Sequence, residues 1–242
     1  MAGIDSFAKL VLHMDGTDTS TTFTDSSQSP YTVTANGNAQ IDTAQSKFGG
    51  ASGLFDGTGD FLSVPDSADW QFDGGSNLNL WTIDFWVMFN GDPGTGEYGF
   101  INQYVDGNNY IVFQIKSNGL RIRVQVASAD VVDISQSWNP ATATWYHVAL
   151  VKDGINGYMH FVDGSQIGST TLDITTLPDL AASLIIARST DDGGSTHDLN
   201  GWMDELRISV GAARWTANFT PPTSAYSLDS AKISKLMLMG VS

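Results

Sequence analysis

Cysteine is absent from the 242-residue sequence. Its absence excludes a disulfide framework, a thiolate zinc site and a cysteine nucleophile. Long apolar runs are absent as well, and none approaches the roughly 18 residues that a membrane-spanning helix requires, so we expect no membrane partner. Residues 1–5 carry no basic segment followed by an apolar run, and from that pattern we expect no signal peptide.

Basic residues and glutamates are scarce. The chain has 11 Lys and Arg against 26 Asp and Glu, its formal net charge is −15, and only Glu97 and Glu205 are glutamates. A surface of this sign repels phosphate backbones, which argues against a nucleic-acid partner. Aspartate is common in turns and Ca²⁺ sites, whereas glutamate favours helices. The balance is typical of a turn-rich protein with little helix.

Alternation of apolar and polar residues dominates the pattern. Residues 110–116 and 119–127 both alternate, as half-buried strands do, and Asn118-Gly119 between them predicts a tight hairpin turn. Segment 81–90 is apolar on both parities, which predicts a central strand covered on both sides. Further strands are predicted at 9–14, 31–35, 61–64, 99–104, 145–152, 158–162, 184–188 and 202–209, with short helical turns near 66–70 and 212–215.

Many short strands without a long helix predict an all-β sandwich or barrel. We expect one domain over residues 1–225, because Thr220-Pro221-Pro222 ends the strand pattern. Residues 226–242 form a C-terminal tail that is apolar and carries two lysines in an acidic protein. The tail is either a final packed segment or a docking segment through which a homo-oligomer forms.

Seven segments carry a family resemblance: LVLHMDGT at 10–17, KFGGASGLFDG at 47–57, DFLSVP at 60–65, WTIDFWV at 81–87, WYHVAL at 145–150, VDG at 162–164 and GWMDELRI at 201–208. In this order they resemble the LamG-like jelly-roll domains of the concanavalin A-like lectin/glucanase superfamily, of the kind found in virion proteins of tailed bacteriophages. The resemblance implies a two-sheet antiparallel jelly-roll sandwich. It also implies a virion protein that is made in the host cytoplasm and acts outside the cell.

Catalytic motifs are absent. Glycoside hydrolases use two carboxylates, which on a strand stand as Glu-x-Asp-x-Glu so that they share one face. The sequence has no such motif, and we therefore expect no enzyme, although aspartates from separate loops could still converge. Three of the four histidines lie in predicted strands, and only His197 lies in a polar loop.

Asp204 is the leading candidate for a metal ligand. On the predicted strand 202–209 it shares parity with Leu206. If that parity faces the core, the carboxylate needs a cation, a metal ion or several N–H donors. The alternative is a pairing with Arg207, with Arg188 or with backbone donors.

The resemblance implies one structural Ca²⁺ near the chain ends, held by an aspartate of the Asp204-Glu205 pair and by the N-terminal segment. On that basis Asp15 and Asp204 are the expected ligands. Asp18 and nearby carbonyls are expected to contribute to the six to eight oxygens that Ca²⁺ takes.

Two polar loops have the composition of a sugar-binding site, in which aromatic rings stack on sugars and carboxylates or amides reach hydroxyls. The alternative for the first loop is an ordinary hairpin. The candidate ligand-binding residues are Tyr104, Asp106, Asn108, Asn109 and Tyr110 in the first loop, and Asp191, Asp192 and His197 in the second.

The function expected from these features is a non-catalytic adhesion module that binds a cell-surface glycan or polysaccharide from a phage particle. One alternative is a structural capsid decoration or fibre subunit that packs on other virion proteins without binding sugar. A polysaccharide-degrading enzyme is the third hypothesis.

Overall fold

A computed structural model describes residues 3–73, 80–94, 96–191 and 194–228. Within these ranges the chain forms strands and a 3-10 turn at Ala68–Trp70. The strands are β1 (Gly3–Ile4), β2 (Ala8–Leu12), β3 (Thr34–Asn36), β4 (Gln40–Asp42), β5 (Ser52–Asp56), β6 (Phe61–Val64), β7 (Trp81–Phe89), β8 (Glu97–Asp106), β9 (Asn109–Lys116), β10 (Gly119–Val126), β11 (Ala129–Ser137), β12 (Trp145–Asp153), β13 (Gly157–Val162), β14 (Ser165–Thr171), β15 (Leu184–Ile186), β16 (Arg188–Thr190), β17 (Thr196–Asp198), β18 (Asn200–Val210) and β19 (Ser227–Leu228).

Two large antiparallel sheets form most of the described structure, and β1-β19 and β16-β17 form two small two-stranded sheets. The front sheet has the strand order β11-β10-β9-β8-β15-β6-β3. The back sheet has the order β14-β13-β12-β7-β18-β5-β4, and β2 also pairs with β18. Because neighbours in each sheet are often distant in sequence, the two sheets form a jelly-roll sandwich rather than a simple meander. The predicted all-β, two-sheet antiparallel β-sandwich is confirmed.

The apolar core lies between the two sheets. Side chains of one parity from β9 and β10 contact the inward side chains of β7, and Phe85, Phe100 and Phe113 form tilted and edge contacts at its centre. Each such side chain contributes about 1.5–3 kcal/mol when fully buried. Strand β7 is buried along its whole length, as its apolar pattern predicted.

The β9–β10 hairpin differs from its prediction by one residue. Lys116 pairs with Gly119, so the two turn residues are Ser117 and Asn118, which have φ values of 49° and 60°. Positive φ at both central positions matches the right-handed twist of the flanking strands. Gly119 is therefore the first residue of β10 and lies outside the turn.

The outward surface of the back sheet is covered at its centre. Arg207 donates to both oxygens of Asp84 at 3.0 Å, and the Tyr226 hydroxyl also donates to Asp84. Tyr226 is 3% exposed and packs with Ile4 and Val11. Residues 226–228, the first three of the tail predicted from the sequence, therefore contact the sandwich. Residues 229–242 lie outside the described residues.

The predicted helical turn near 66–70 is present as the 3-10 turn, whereas 212–215 has no helix. Across the ranges that the structure describes, no helix is both long enough and apolar enough to cross a membrane.

Candidate functional site

The outward surface of the front sheet, here called the front face, is unusually polar. In β9 the residues Ile111, Phe113 and Ile115 point into the core, so alternation places Tyr110 and Gln114 on the opposite side. The hairpin formed by β16 and β17 lies over β8 and β9 on this side. The front face is therefore a sheet surface partly covered by a polar loop.

The β16–β17 hairpin approaches the sheet closely at a glycine. A Cβ atom on Gly99 would lie 1.9 Å from the backbone nitrogen of Ser189, so only glycine fits at that position. At the base of the hairpin, Nη2 of Arg188 donates to Asp198 at 2.9 Å, and Asp198 also accepts from the backbone nitrogen of Gly59 at 2.7 Å. These contacts fix the loop over β8.

The two loops singled out from the sequence meet on the front face. The rings of Tyr104 and Tyr110 stack with centroids 6.3 Å apart and an interplanar angle of 26°. A Cβ atom on Gly194, in the second loop, would lie 3.5 Å from the Tyr104 hydroxyl. Tyr104 is half-buried, whereas Tyr110 is fully buried. One aromatic edge is thus accessible beside the second loop.

The other polar residues of the first loop stabilise the hairpin itself. Asp106 accepts from the backbone nitrogen of Asn108 at 2.8 Å and from the side chain of Asn109 at 3.0 Å. Asn108 accepts from the hydroxyl of Ser128, and Asn109 accepts from the backbone nitrogen of Ala127. For these three side chains the geometry agrees with the ordinary-hairpin alternative.

The second loop brings ionisable groups together. Among the described residues, one trio of His, Asp and Glu has ligand atoms that all lie within 4.8 Å of one another, namely Glu97, Asp191 and His197. The Lys116 ammonium lies 2.8 Å from Glu97 and 3.1 Å from Asp191, and these two carboxylates raise the pKa of Lys116 against the opposing effect of its partial burial. Asp192, the remaining candidate in this loop, lies outside the described residues.

Buried amides surround this cluster. Gln114 is fully buried, and neither its oxygen nor its nitrogen has a partner among the described residues. Asn102 donates to the backbone oxygens of Ile111 and Thr190, while its own oxygen has no partner in the described part of the chain. A buried amide without a partner costs about 1–3 kcal/mol, so water or a ligand hydroxyl would find donors and acceptors here.

Sequence reasoning missed Glu97, Lys116 and Gln114. A signal was available for Gln114 and Lys116, because both have the opposite parity to the apolar residues of β9. Glu97 had no such signal, since its nearness to Asp191 depends on how β16 crosses β8.

Asp204 lies near the chain ends on the back sheet and is fully buried. The prediction that Asp204 and Leu206 share one face is wrong, because a bulge between Asp204 and Arg207, with Glu205 at φ 50°, shifts the alternation. Leu206 joins the core. Asp204 instead accepts from the backbone nitrogens of Lys47 and Phe48 at 2.7 and 3.0 Å, as the backbone-donor alternative expected.

The chemistry around Asp204 fits a cation. Its second oxygen is buried with no partner among the described residues. Burial raises the pKa of Asp204 to about 7, and the charges of Glu205 and Asp15 add to this effect. Burial and Glu205 also raise the pKa of Asp15. The hydrogen bond from His13 to Glu205, 2.7 Å long, raises the pKa of His13, and the charges of Asp15 and Asp204 add to this effect. One imidazole therefore lies near three carboxylates.

The three predicted ligands do not form one compact set. Asp15, Asp18 and Asp204 do not converge to within 4.8 Å. Asp18 accepts from the backbone nitrogen and the hydroxyl of Thr43 in an exposed turn. Asp15, Glu205 and the unpartnered oxygen of Asp204 are donors of the kind that Ca²⁺ takes, but their ligand atoms do not all lie within 4.8 Å of one another either. Asp18 has a separate structural contact.

Comparisons with known proteins agree with the fold. A family model described as the concanavalin A-like lectin/glucanases superfamily matches residues 55–215. No curated protein matches the chain. Among solved structures, the binding domain of botulinum neurotoxin DC in complex with rat synaptotagmin II has 16% identity and a TM-score of 0.60, over 98% of this chain and 52% of that chain.

Two further solved structures are similar. The binding domain of botulinum neurotoxin DC in complex with SialylT has 17% identity and a TM-score of 0.58, over 96% of this chain and 51% of that chain. A structure of botulinum neurotoxin type C, whose cell entry depends on interaction with two ganglioside molecules, has 15% identity and a TM-score of 0.61, over 98% of this chain and 52% of that chain. The chain spans about half the length of these structures, and the likeness concerns the fold. By the family match, the chain belongs to the concanavalin A-like lectin/glucanases superfamily.

Proposed function

We propose that the chain is a non-catalytic glycan-binding module whose binding site is the front face. The observation that carries this proposal is the half-buried ring of Tyr104, stacked on Tyr110 and bordered by the loop that holds Asp191 and His197. The accessible edge of Tyr104 offers an apolar surface for C–H groups of a sugar, and its packing against Tyr110 on the neighbouring strand restricts its motion. Carboxylates and amides beside it would accept hydrogen bonds from sugar hydroxyls.

Two features of the cluster support binding rather than hydrolysis. Glycoside hydrolysis needs one protonated and one ionised carboxyl group with room for the sugar or water between them. Glu97 and Asp191 are instead both paired with the Lys116 ammonium. Two of the similar botulinum structures are binding domains, one of them in complex with SialylT, and cell entry of botulinum neurotoxin type C depends on interaction with two ganglioside molecules.

We further propose that a structural Ca²⁺ is held by Asp204 and Asp15, with Glu205 as an additional donor. The ion would supply positive charge to the buried Asp204 carboxylate, one oxygen of which has no partner among the described residues, while Asp15 would approach it from an exposed position. Because this site lies on the back sheet and the sugar site on the front sheet, the ion would stabilise the fold without touching the glycan.

The proposed setting is a bacteriophage particle, on which the module would contact a cell-surface glycan. Support comes from the family segments quoted above and their resemblance to virion proteins. Mass spectrometry of purified particles tests this proposal, because a virion protein co-purifies with them. Association with particles but no binding to any sugar would favour the capsid-decoration alternative.

A glycan array followed by calorimetric titration of the best ligand tests the binding site. We expect Tyr104→Ala to weaken binding about tenfold, which corresponds to roughly 1.4 kcal/mol. Val105→Ala is the matched control, because Val105 is the next residue and is 48% exposed. EDTA should lower the thermal midpoint more than it lowers affinity. Equal losses for both variants, or no binding on the array, would remove the front face as a glycan site.

A further inference from the structure

Among the residues that the structure describes, the most exposed large apolar side chains lie at one end of the back sheet. Ile155, in the β12–β13 turn, is 80% exposed, and Leu172 and Ile174, just after β14, are 72% and 67% exposed. Ile155 and Leu172 both line a cavity of about 580 Å³ whose floor includes Met159. These three exposed residues are called the apolar patch. Exposed apolar surface of this kind usually has a partner.

The surroundings of the apolar patch are acidic. Asp153 lines the cavity, and no lysine or arginine does so. The Asp153 oxygens accept from Ile155 and Asn156, and the nearby Lys152 is fully buried with its ammonium bonded to Asp73 and Thr175. Asp173 stands between the two exposed residues that follow β14. An occupant that suits this surface is apolar and positively charged, because it would fill the cavity and pair with the carboxylates.

The described part of the chain ends with its last strand directed toward this end of the sheet. Strand β19 is parallel to β1, so at Leu228 it points the same way as the segment from Ile4 to Phe7. The backbone oxygen of Phe7 accepts from Val210 at the end of β18. That end of the back sheet also carries the β12–β13 turn, since β18, β7 and β12 pair in register. Leu228 itself is 52% exposed.

Residues 229–242 have the required reach and composition. Four strand spacings separate β18 from β14 in the back sheet, a distance of about 19 Å at roughly 4.8 Å each. Fourteen extended residues span up to about 46 Å at ~3.3 Å per residue. The segment has two positive charges, at Lys232 and Lys235, and five large apolar residues, Ile233, Leu236, Met237, Leu238 and Met239.

We propose that residues 229–242 bind the apolar patch of their own sandwich. The apolar residues fill the cavity beside Ile155 and Leu172, and the two lysines pair with the acidic surroundings of Asp153 and Asp173. This interaction does not depend on glycan binding at the front face. It gives the C-terminal segment a defined docking surface within one molecule.

The absence of native cysteine allows a direct test by disulfide trapping in the full chain. Leu172→Cys is combined with Leu236→Cys or, in a second variant, with Leu238→Cys, and mild oxidation is followed on non-reducing gels and by mass spectrometry. We expect an intramolecular disulfide to form at least about fivefold faster than in the control, because docking raises the effective concentration of the thiols. The control pairs Val105→Cys with the same tail cysteines, because Val105 is 48% exposed and lies on the other sheet.

The charges are tested in the same assay. Lys232→Glu with Lys235→Glu should slow the trapping severalfold, and 6 M urea should abolish the difference from the control. Equal trapping at Val105 and Leu172, or no trapping by either tail cysteine, overturns the proposal. Predominantly intermolecular disulfides would also overturn it, because the occupant would then be the tail of a second copy.

Discussion

His160 is a core residue whose ring has no hydrogen-bond partner among the described residues. It is 1% exposed, and its ring lies 6.5 Å from that of Phe113 across the sandwich. Burial lowers the pKa of His160 to about 3, whereas the unfolded chain titrates near 6.5. Between these values the unfolded state binds the additional proton, so the folded state loses stability as the pH falls from about 6.5 toward 3.

Replacing this histidine should therefore flatten the acid side of the stability profile. In the native protein, protonation of His160 in the unfolded state should lower the free energy of unfolding by about 2 kcal/mol between pH 7.5 and pH 5. The slope is roughly 1.4 kcal/mol per pH unit below 6.5. His160→Leu should remove that part of the decrease in urea-unfolding free energy. Phe113→Leu is the control, because it changes core packing without a titrating group. Identical slopes for His160→Leu and the native protein would contradict the assignment.

Asp204 gives a second prediction at the residue scale. Asp204→Asn keeps an acceptor for the backbone nitrogens of Lys47 and Phe48 but removes a buried charge. In EDTA at pH 8 we expect the variant to unfold at or above the native thermal midpoint, because an uncompensated buried carboxylate is costly.

Added Ca²⁺ should raise the thermal midpoint of the native protein and leave that of Asp204→Asn unchanged. Asp18→Asn should keep the full response, since Asp18 contacts Thr43 instead. A native thermal midpoint that does not respond to Ca²⁺ would contradict the proposed Ca²⁺ site.

At the scale of elements, alternation located the strands that have one buried face. It missed the edge strands β11 and β14. Strand β14 is largely exposed, and β11 pairs its aspartates with arginines of β10, as in Arg121–Asp133. Such strands are held by the hydrogen-bond ladder of a neighbour rather than by their own apolar pattern. The Glu205 bulge was missed for a related reason, since alternation assumes an unbroken period of two.

The β9–β10 turn allows a test of backbone strain in one element. Ser117 has φ 49°, a region that costs an ordinary residue roughly 1 kcal/mol and that asparagine tolerates better. Ser117→Asn should stabilise the protein by about 0.5 kcal/mol, and Ser117→Val should destabilise it by more than 1 kcal/mol. Chemical denaturation measures both changes. Equal midpoints for the two variants would mean that the turn does not carry this strain.

At the scale of the whole molecule, long-range topology decided what the sequence could not show. The two polar loops were recognised by composition, and Tyr104 indeed meets the second loop at Gly194. The cluster of Glu97, Lys116 and Asp191 joins residues far apart in sequence, so no local pattern could predict it. The packing of the C-terminal Tyr226 against the back sheet was equally unpredictable from local sequence, because Tyr226 contacts Asp84 only once the sandwich has formed.

These contacts make Tyr226 part of the cooperatively folded sandwich. Its ring packs with Ile4 and Val11, its hydroxyl donates to Asp84, and its backbone nitrogen donates to Glu205 at 2.7 Å. Although burial alone would raise the pKa of Asp84, Arg207 and His147 hold it well below its usual range, so Asp84 stays charged and needs its donors.

Tyr226→Ala should therefore cost about 3–5 kcal/mol, as for other large buried side chains. Tyr226→Phe should cost only about 1–2 kcal/mol, because both bonds from Arg207 remain. Leu228→Ala, two residues on and half-exposed, should change stability by less than about 0.5 kcal/mol. Denaturant unfolding followed by tryptophan fluorescence measures all three. A neutral Tyr226→Ala would mean that the sandwich is complete at residue 225, and a large loss for Leu228→Ala would extend the cooperative unit into the tail.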